Sequence, residues 1–271
     1  MTINIIRDWV RKHQVLLTTV LILSGFGLYI SQSIHFAHTI PSSVWDEGSY
    51  IYKGYLFTSG KHTPFKDFGP WTNQMPVAYF LPGISQTLFG AGIRSARYFA
   101  VALGTLTLLG LVLAAKRYRG SGWVALVVWA VVLNPGWVKA FSQVFSQGMV
   151  SFFFAWTIFF LLGKQPKTWE LTAASFLAAL AGMTRVNVLP LAFLLVLYVF
   201  WQHGKKPGLW ALAGMAAPVL FFHLFYWPEI LKIWAYWIPP EVFPPITSYR
   251  SPWREVFVPS GFSWWPVSAW L

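Results

Sequence analysis

Two carboxylates stand side by side, Asp46 and Glu47, within "IPSSVWDEGSYIYKGYLF" at residues 40–57, and Trp45, Tyr50, Tyr52 and Tyr55 surround them. Adjacent acids near histidines invite a metal reading, and His35, His38 and His62 flank this stretch. The spacing lends that reading little support. His35 and His38 are three residues apart in what reads as a loop, and no His-x-x-x-His helical pair occurs. If a divalent ion binds at all, Asp46 and Glu47 are its ligands. The local alternative is a helix start. Ser43 lies three residues before Asp46, a serine N-cap followed by an acid, and acids in a first turn complement the positive helix end. "DEGSYIYKGYLF" is then a short helix lying in an interface, its aromatics at headgroup depth. The two readings are compatible, because a cap also orients a catalytic acid.

The chain that must position these residues has 271 amino acids, 56% hydrophobic and only 10% charged. That is far from the usage of a soluble globular domain and predicts an all-α, polytopic membrane protein. The net charge of +12 does not point to nucleic acid, because the basic residues sit in short clusters between apolar runs rather than on one face. With no cysteine, disulfides, a thiolate nucleophile and cysteine metal sites are excluded. The N-terminus has the basic flank and apolar run of an export signal, but "SQSIHFAHTI" offers no small-x-small cleavage site. It reads as an uncleaved anchor helix.

A spanning helix needs about 20 apolar residues. The first candidate is about 14–34 and the second about 96–115. From Ser121 to Gly163 the chain is almost unbroken apolar, and as one helix it would be roughly 65 Å long, about twice a bilayer. "LNPGWVK" at 133–139 supplies the break. By the same reasoning 171–201 folds back near "GMTRVN" at 182–187, and a last span covers about 209–227. Lysine and arginine in short loops collect on the cytoplasmic side. With the N-terminus inside, about seven crossings place Arg7, Arg11, Lys12, Lys116, Arg117, Arg119, Lys164, Lys167, Lys205 and Lys206 in the cytoplasm. The loop at about 35–93 and the tail from 228 then face outward. The transmembrane module is thus about 1–227, and the Trp- and Pro-rich tail 228–271 reads as an aromatic belt or a sugar-stacking surface.

Residues 45–117 carry a longer pattern: Asp46-Glu47, an aromatic run, Gly60 before Pro64-Phe65-Lys66-Asp67, then Pro76 opening a segment that ends Leu88-Phe89-Gly90. This closely resembles the first extracytoplasmic loop and second helix of GT-C glycosyltransferases, nearest to the protein O-mannosyltransferases and the aminoarabinose-to-lipid A transferases. The resemblance continues more weakly through "LNPGWVKAFSQVFSQGMVSFFFAW" and "AALAGMTRVNVLPLAFLLVLY". Members of those families usually continue for further helices, so the chain is expected to be a truncated or minimal version, ending where an eighth helix would begin.

The resemblance implies an enzyme of a bacterial inner membrane that moves a sugar from a polyprenyl-phosphate donor to a lipid, glycan or protein hydroxyl outside the cytoplasm, with inversion. It makes Asp46 the general base and Glu47 its support or a metal ligand. The leaving phosphate needs positive charge, for which Arg185, in an otherwise apolar hairpin, is the first candidate. A cap or snorkelling residue is the alternative for Arg185, and Lys139 carries the same ambiguity. Arg94 and Arg97, three apart on one helix face, are interfacial anchors or phosphate ligands. Asp67 and Gln74 complete the implied donor-binding set. Two positions depart from the pattern: Gln74-Met75 and Ser146-Gln147 are neutral where relatives carry acids. They count against turnover and against a metal, and leave donor binding open. The rival expectation is a non-catalytic lipid-binding or assembly subunit on the same scaffold.

Overall fold

The computed structural model describes residues 12–41, 43, 45–62, 75–231 and 234, which form helices with no strand among them. In chain order these are α1 (Gln14–Thr39), α2 (Trp45–Thr58), α3 (Val77–Phe89), α4 (Ile93–Arg119) and α5 (Ser121–Val132). There follow α6 (Pro135–Phe141), α7 (Ser146–Leu161), α8 (Thr168–Gly182), a 3₁₀ turn at Val186–Val188, α9 (Leu189–His203) and α10 (Lys205–Phe225). Four stretches are long and apolar enough to cross a membrane: α1, α4, Val186–His203 and α10. The pair α5 and α6 makes a fifth if it counts as one span, although its axis bends by 80° at the break. α7 and α8, with 16 and 15 residues, are shorter than the roughly 20 that a full crossing takes.

The local chemistry accounts for most of the boundaries. Asn134 caps α6 by accepting a hydrogen bond from the Trp137 backbone N–H at 3.2 Å, and Pro135 occupies the first turn, where its missing N–H is harmless. The stretch expected to fold back near 182–187 does so tightly. A Cβ on Gly182 would lie 2.5 Å from Leu189 Cδ1, so the return of α9 onto α8 needs a glycine there. α2 and α3 cross equally closely, since a Cβ on Gly54 would lie 2.5 Å from the Tyr79 carbonyl and 3.0 Å from the Gly83 N. α1 runs past its expected end near 34, so His35 and His38 lie on its last turns rather than in a loop.

Contacts run in a row from α1 through α4, α7 and α8 to α10, with α5 and α6 against α1 and α9 against α8 and α10. The α2–α3 pair packs on α4 near its N-terminal end, around Tyr50, Phe57, Tyr79, Ala96, Ala100 and Met149. Polar charge separates to the two ends of α4. Near its C-terminus, Arg117 donates to the Phe159 carbonyl at 2.7 Å and pairs with Glu170 at 2.5 Å, tying α4 to α7 and α8. Near its N-terminus lies Arg97, about 30 Å away at helical rise, which is the thickness of a hydrocarbon layer.

Arg97 is 2% exposed and Glu47 is 0% exposed, and they face each other as a fork on a fork. Nε reaches Oε1 at 2.9 Å and Nη2 reaches Oε2 at 2.8 Å. The remaining capacity is used as well. Arg97 Nη1 donates to the carbonyls of Ile40 at 2.6 Å and Ala37 at 3.4 Å, covering the open C-terminal end of α1. Glu47 accepts from the Val144 backbone N–H at 3.2 Å and from Gln143 Nε2 at 3.5 Å. One ion pair therefore joins the end of α1, α2, α4 and the α6–α7 connection. Breaking a buried pair strands a charge, whereas replacing both partners by apolar groups is far milder. Glu47→Leu and Arg97→Met are each expected to lower unfolding stability in detergent micelles by about 3–5 kcal/mol, and the double replacement to recover most of that loss. Thermal or denaturant melts of the four proteins check this.

Candidate functional site

Successive residues on a helix point about 100° apart, and that turn gives the two acids different fates. Glu47 faces inward to Arg97, while Asp46 is exposed. On the Asp46 face, Tyr50 and Lys53 follow at four and seven residues, the spacing of one helix stripe. The Tyr50 hydroxyl donates to Ser146 Oγ at 2.9 Å, and Arg185 Nη1 donates to the same oxygen at 2.9 Å. Ser146 is wholly buried at the first residue of α7, and Arg185, half-buried, stands at the turn between α8 and α9. Three segments remote in sequence thus meet at one serine oxygen.

The electrostatics join Asp46 to this group. Burial pushes the Tyr50 phenol up, the Ser146 hydrogen bond and the Arg185 charge oppose that rise, and the Asp46 carboxylate adds to it. The Tyr79 phenol is raised further, by burial first and then by Tyr50 and Asp46. Its ring packs on Tyr50 with centroids 5.6 Å apart, and Lys53 Nζ lies 5.7 Å from the Tyr79 centroid. Among the described residues Asp46 has no hydrogen-bond or ion-pair partner, and Arg185 has only Ser146. Such a carboxylate can take up a proton, and such a guanidinium can hold an anion with its unused N–H groups.

The other expected site residues are distributed differently. Arg97 has every guanidinium nitrogen engaged with protein, so it serves the frame rather than a phosphate, and Glu47 has both oxygens engaged in the same way. Arg94 does not share the buried face of Arg97. It is exposed, because three residues along a helix leave about 60° between side chains, enough to put one inside and one out. Lys139 is exposed on α6. Asp67 and Gln74, with the Pro64-Phe65-Lys66 segment, lie outside the described residues, as does most of the tail from 228. Within that tail Trp234 Nε1 donates to His223 Nε2 at 2.8 Å. His38 Nε2 and the Tyr98 hydroxyl are 2.6 Å apart, and among the described residues no three histidine, aspartate or glutamate side chains gather to hold a metal ion.

Tyr50, Tyr79 and Lys53 went unrecognised as site residues in the sequence. The signal for Tyr50 and Lys53 was there in their four- and seven-residue offsets from Asp46. For Tyr79 there was none, since its place depends on how α3 crosses α2.

Lys53 is 5% exposed, and burial holds its amine down at about 7. An unfolded lysine titrates near 10.4. Between about pH 7 and pH 10 the unfolded chain therefore carries a proton that the folded site does not, and stability rises with pH across that window. The melting temperature in micelles is expected to climb from pH 7 to pH 10. Lys53→Met should melt higher at pH 7 and converge on the parent by pH 10. A flat profile for the parent chain would contradict this reading of Lys53.

Comparison with protein-family models, with curated proteins and with solved structures finds no match to this chain.

Proposed function

We propose that the chain is a membrane glycosyltransferase of the GT-C kind, with seven crossings and a cytoplasmic N-terminus in a bacterial inner membrane. It moves a sugar from a polyprenyl-phosphate donor to an acceptor hydroxyl on the outer side. The observation that carries the reading is the pair of charges Asp46, one helical turn before Tyr50, and Arg185, joined through the buried Tyr50–Ser146 hydrogen bond, with Asp46 unpaired and Arg185 bound only to Ser146 among the described residues. A transfer of this kind needs a proton acceptor and an anion holder within one sugar's reach of each other. The charge pattern supports the orientation. The end of α4, the connection after α7 and the start of α10 carry Lys116, Arg117, Arg119, Lys164, Lys167, Lys205 and Lys206, while Asp46 follows α1 and Arg185 follows α8, at the alternate turns of the proposed topology.

In the proposed step the acceptor oxygen attacks the anomeric carbon as the bond from that carbon to the phosphate oxygen breaks. The hydroxyl proton passes to Asp46, and the phosphate leaves on its lipid, its charge met by Arg185. A carboxylate is a weak base towards an alcohol, so proton transfer accompanies attack rather than preceding it. Placement of the two reactants at the membrane surface contributes the remainder. The single displacement inverts the sugar. Glu47 acts at one remove, holding α2 against α4 and so holding Asp46 in place.

Asp46→Asn is expected to lower transfer from radiolabelled polyprenyl-phosphate sugars in isolated membranes by about 10²–10⁴-fold, with the protein level unchanged. Arg185→Met should chiefly raise the donor KM. Transfer that survives Asp46→Asn would replace the enzyme by a non-catalytic, carrier-lipid-binding subunit. Because the sequence has no cysteine, Asp46→Cys provides a unique label. An impermeant thiol reagent added outside whole cells should modify it, and modification confined to reagent on the cytoplasmic side would reverse the orientation.

A further inference from the structure

Ser146 Oγ receives two donors, the Tyr50 hydroxyl and Arg185 Nη1, each at 2.9 Å. A serine oxygen has two lone pairs, so both are occupied and its own proton must go elsewhere. It has a recipient in Gln147 Oε1 at 3.4 Å. The bonding direction of the group is thereby fixed: Tyr50 gives to Ser146, Arg185 gives to Ser146, and Ser146 gives to Gln147. Ser146 is fully buried and cannot turn to water, whereas Arg185 is partly exposed. The serine therefore pins one nitrogen of a long, rotamer-rich side chain, and among the described residues the rest of the guanidinium has no hydrogen-bond partner. Arginine loses rotamer entropy when it is immobilised, so an anchor that removes some of it beforehand strengthens capture of an anion.

We infer that Ser146, itself held by Tyr50, is a positioning residue that fixes the Arg185 guanidinium for the phosphate of the lipid-linked donor, with Ser146 and Arg185 acting as one unit. This rests on the glycosyl-transfer reading for the identity of the phosphate, and on the hydrogen bonds at Ser146 Oγ for the coupling. A carboxylate at this place would neutralise the arginine, whereas the serine hydroxyl holds it without adding an opposing charge.

The test uses the full chain in lipid nanodiscs, with farnesyl phosphate as the probe and farnesol as the uncharged control. Ser146→Ala should weaken farnesyl phosphate binding by about threefold to tenfold, the range of one hydrogen bond, and leave farnesol binding unchanged. Tyr50→Phe should weaken it in the same direction, and Ser146→Thr, which keeps the hydroxyl, should restore it. Arg185→Met should abolish the preference for the phosphate. The decisive comparison is the double variant: Ser146→Ala on top of Arg185→Met should cost nothing further. In transfer assays Ser146→Ala should raise donor KM with kcat little changed, a split that a general loss of packing would not give. Full additivity of the two variants, or equal weakening for farnesol and farnesyl phosphate, would overturn the inference. If instead no sugar donor is ever turned over while the binding cycle holds, the positioning role stands and the transferase reading falls.

Discussion

The pairing of Glu47 with Arg97 is the constraint on which the rest of the site depends. Each is buried, each would be expensive alone, and each has its remaining hydrogen-bonding capacity filled by the backbone of a different element. The fork geometry sets both the distance and the rotation of α2 relative to α4. With α2 fixed in rotation, the next residue back along the helix cannot face the core. Asp46 is exposed because Glu47 is not.

The same helix thus carries a saturated acid and an open one, a single turn step apart. A similar division separates the arginines. Arg97 is surrounded by acceptors, whereas among the described residues Arg185 bonds one serine and keeps the rest of its donors. Desolvated groups that are fully matched hold structure, and groups that are only partly matched retain capacity for a ligand. On that criterion the candidate site comprises Asp46, Tyr50, Ser146 and Arg185, with Tyr79 packed on Tyr50 and Lys53 beside the Tyr79 ring. The glycine crossing of α2 over α3 brings Tyr79 close enough to bury the Tyr50 ring.

Much of the scaffold was legible in the chain itself. Long apolar runs can only be helices where the backbone must satisfy its own hydrogen bonds, and the Asn134-Pro135 and Gly182 breaks are local chemistry. The short helix that carries Asp46 was readable from its local pattern, and the segment from Pro76 to Gly90, marked in the chain only by the GT-C resemblance, is a helix over Val77–Phe89. Less legible was the reach of α1 to Thr39, because its last carbonyls are covered by a side chain sixty residues away. Arg94 and Arg97 looked equivalent for the same reason: spacing states that two residues are neighbours and not which of them meets a carboxylate.

By itself the sequence determined that this is a helical chain with stretches long and apolar enough to cross a membrane, and that Asp46 with Glu47 and Arg185 are the charges worth explaining. Composition and local turn chemistry act over a few residues, so they survive translation into one dimension. The tertiary structure decided which charge is buried in a matched pair and which stays exposed or half-exposed. That choice depends on contacts such as Glu47 with Arg97 and Arg185 with Ser146, whose partners lie fifty and thirty-nine positions apart. Whether a buried charge is matched is a property of the space around it, and only the folded chain defines that space.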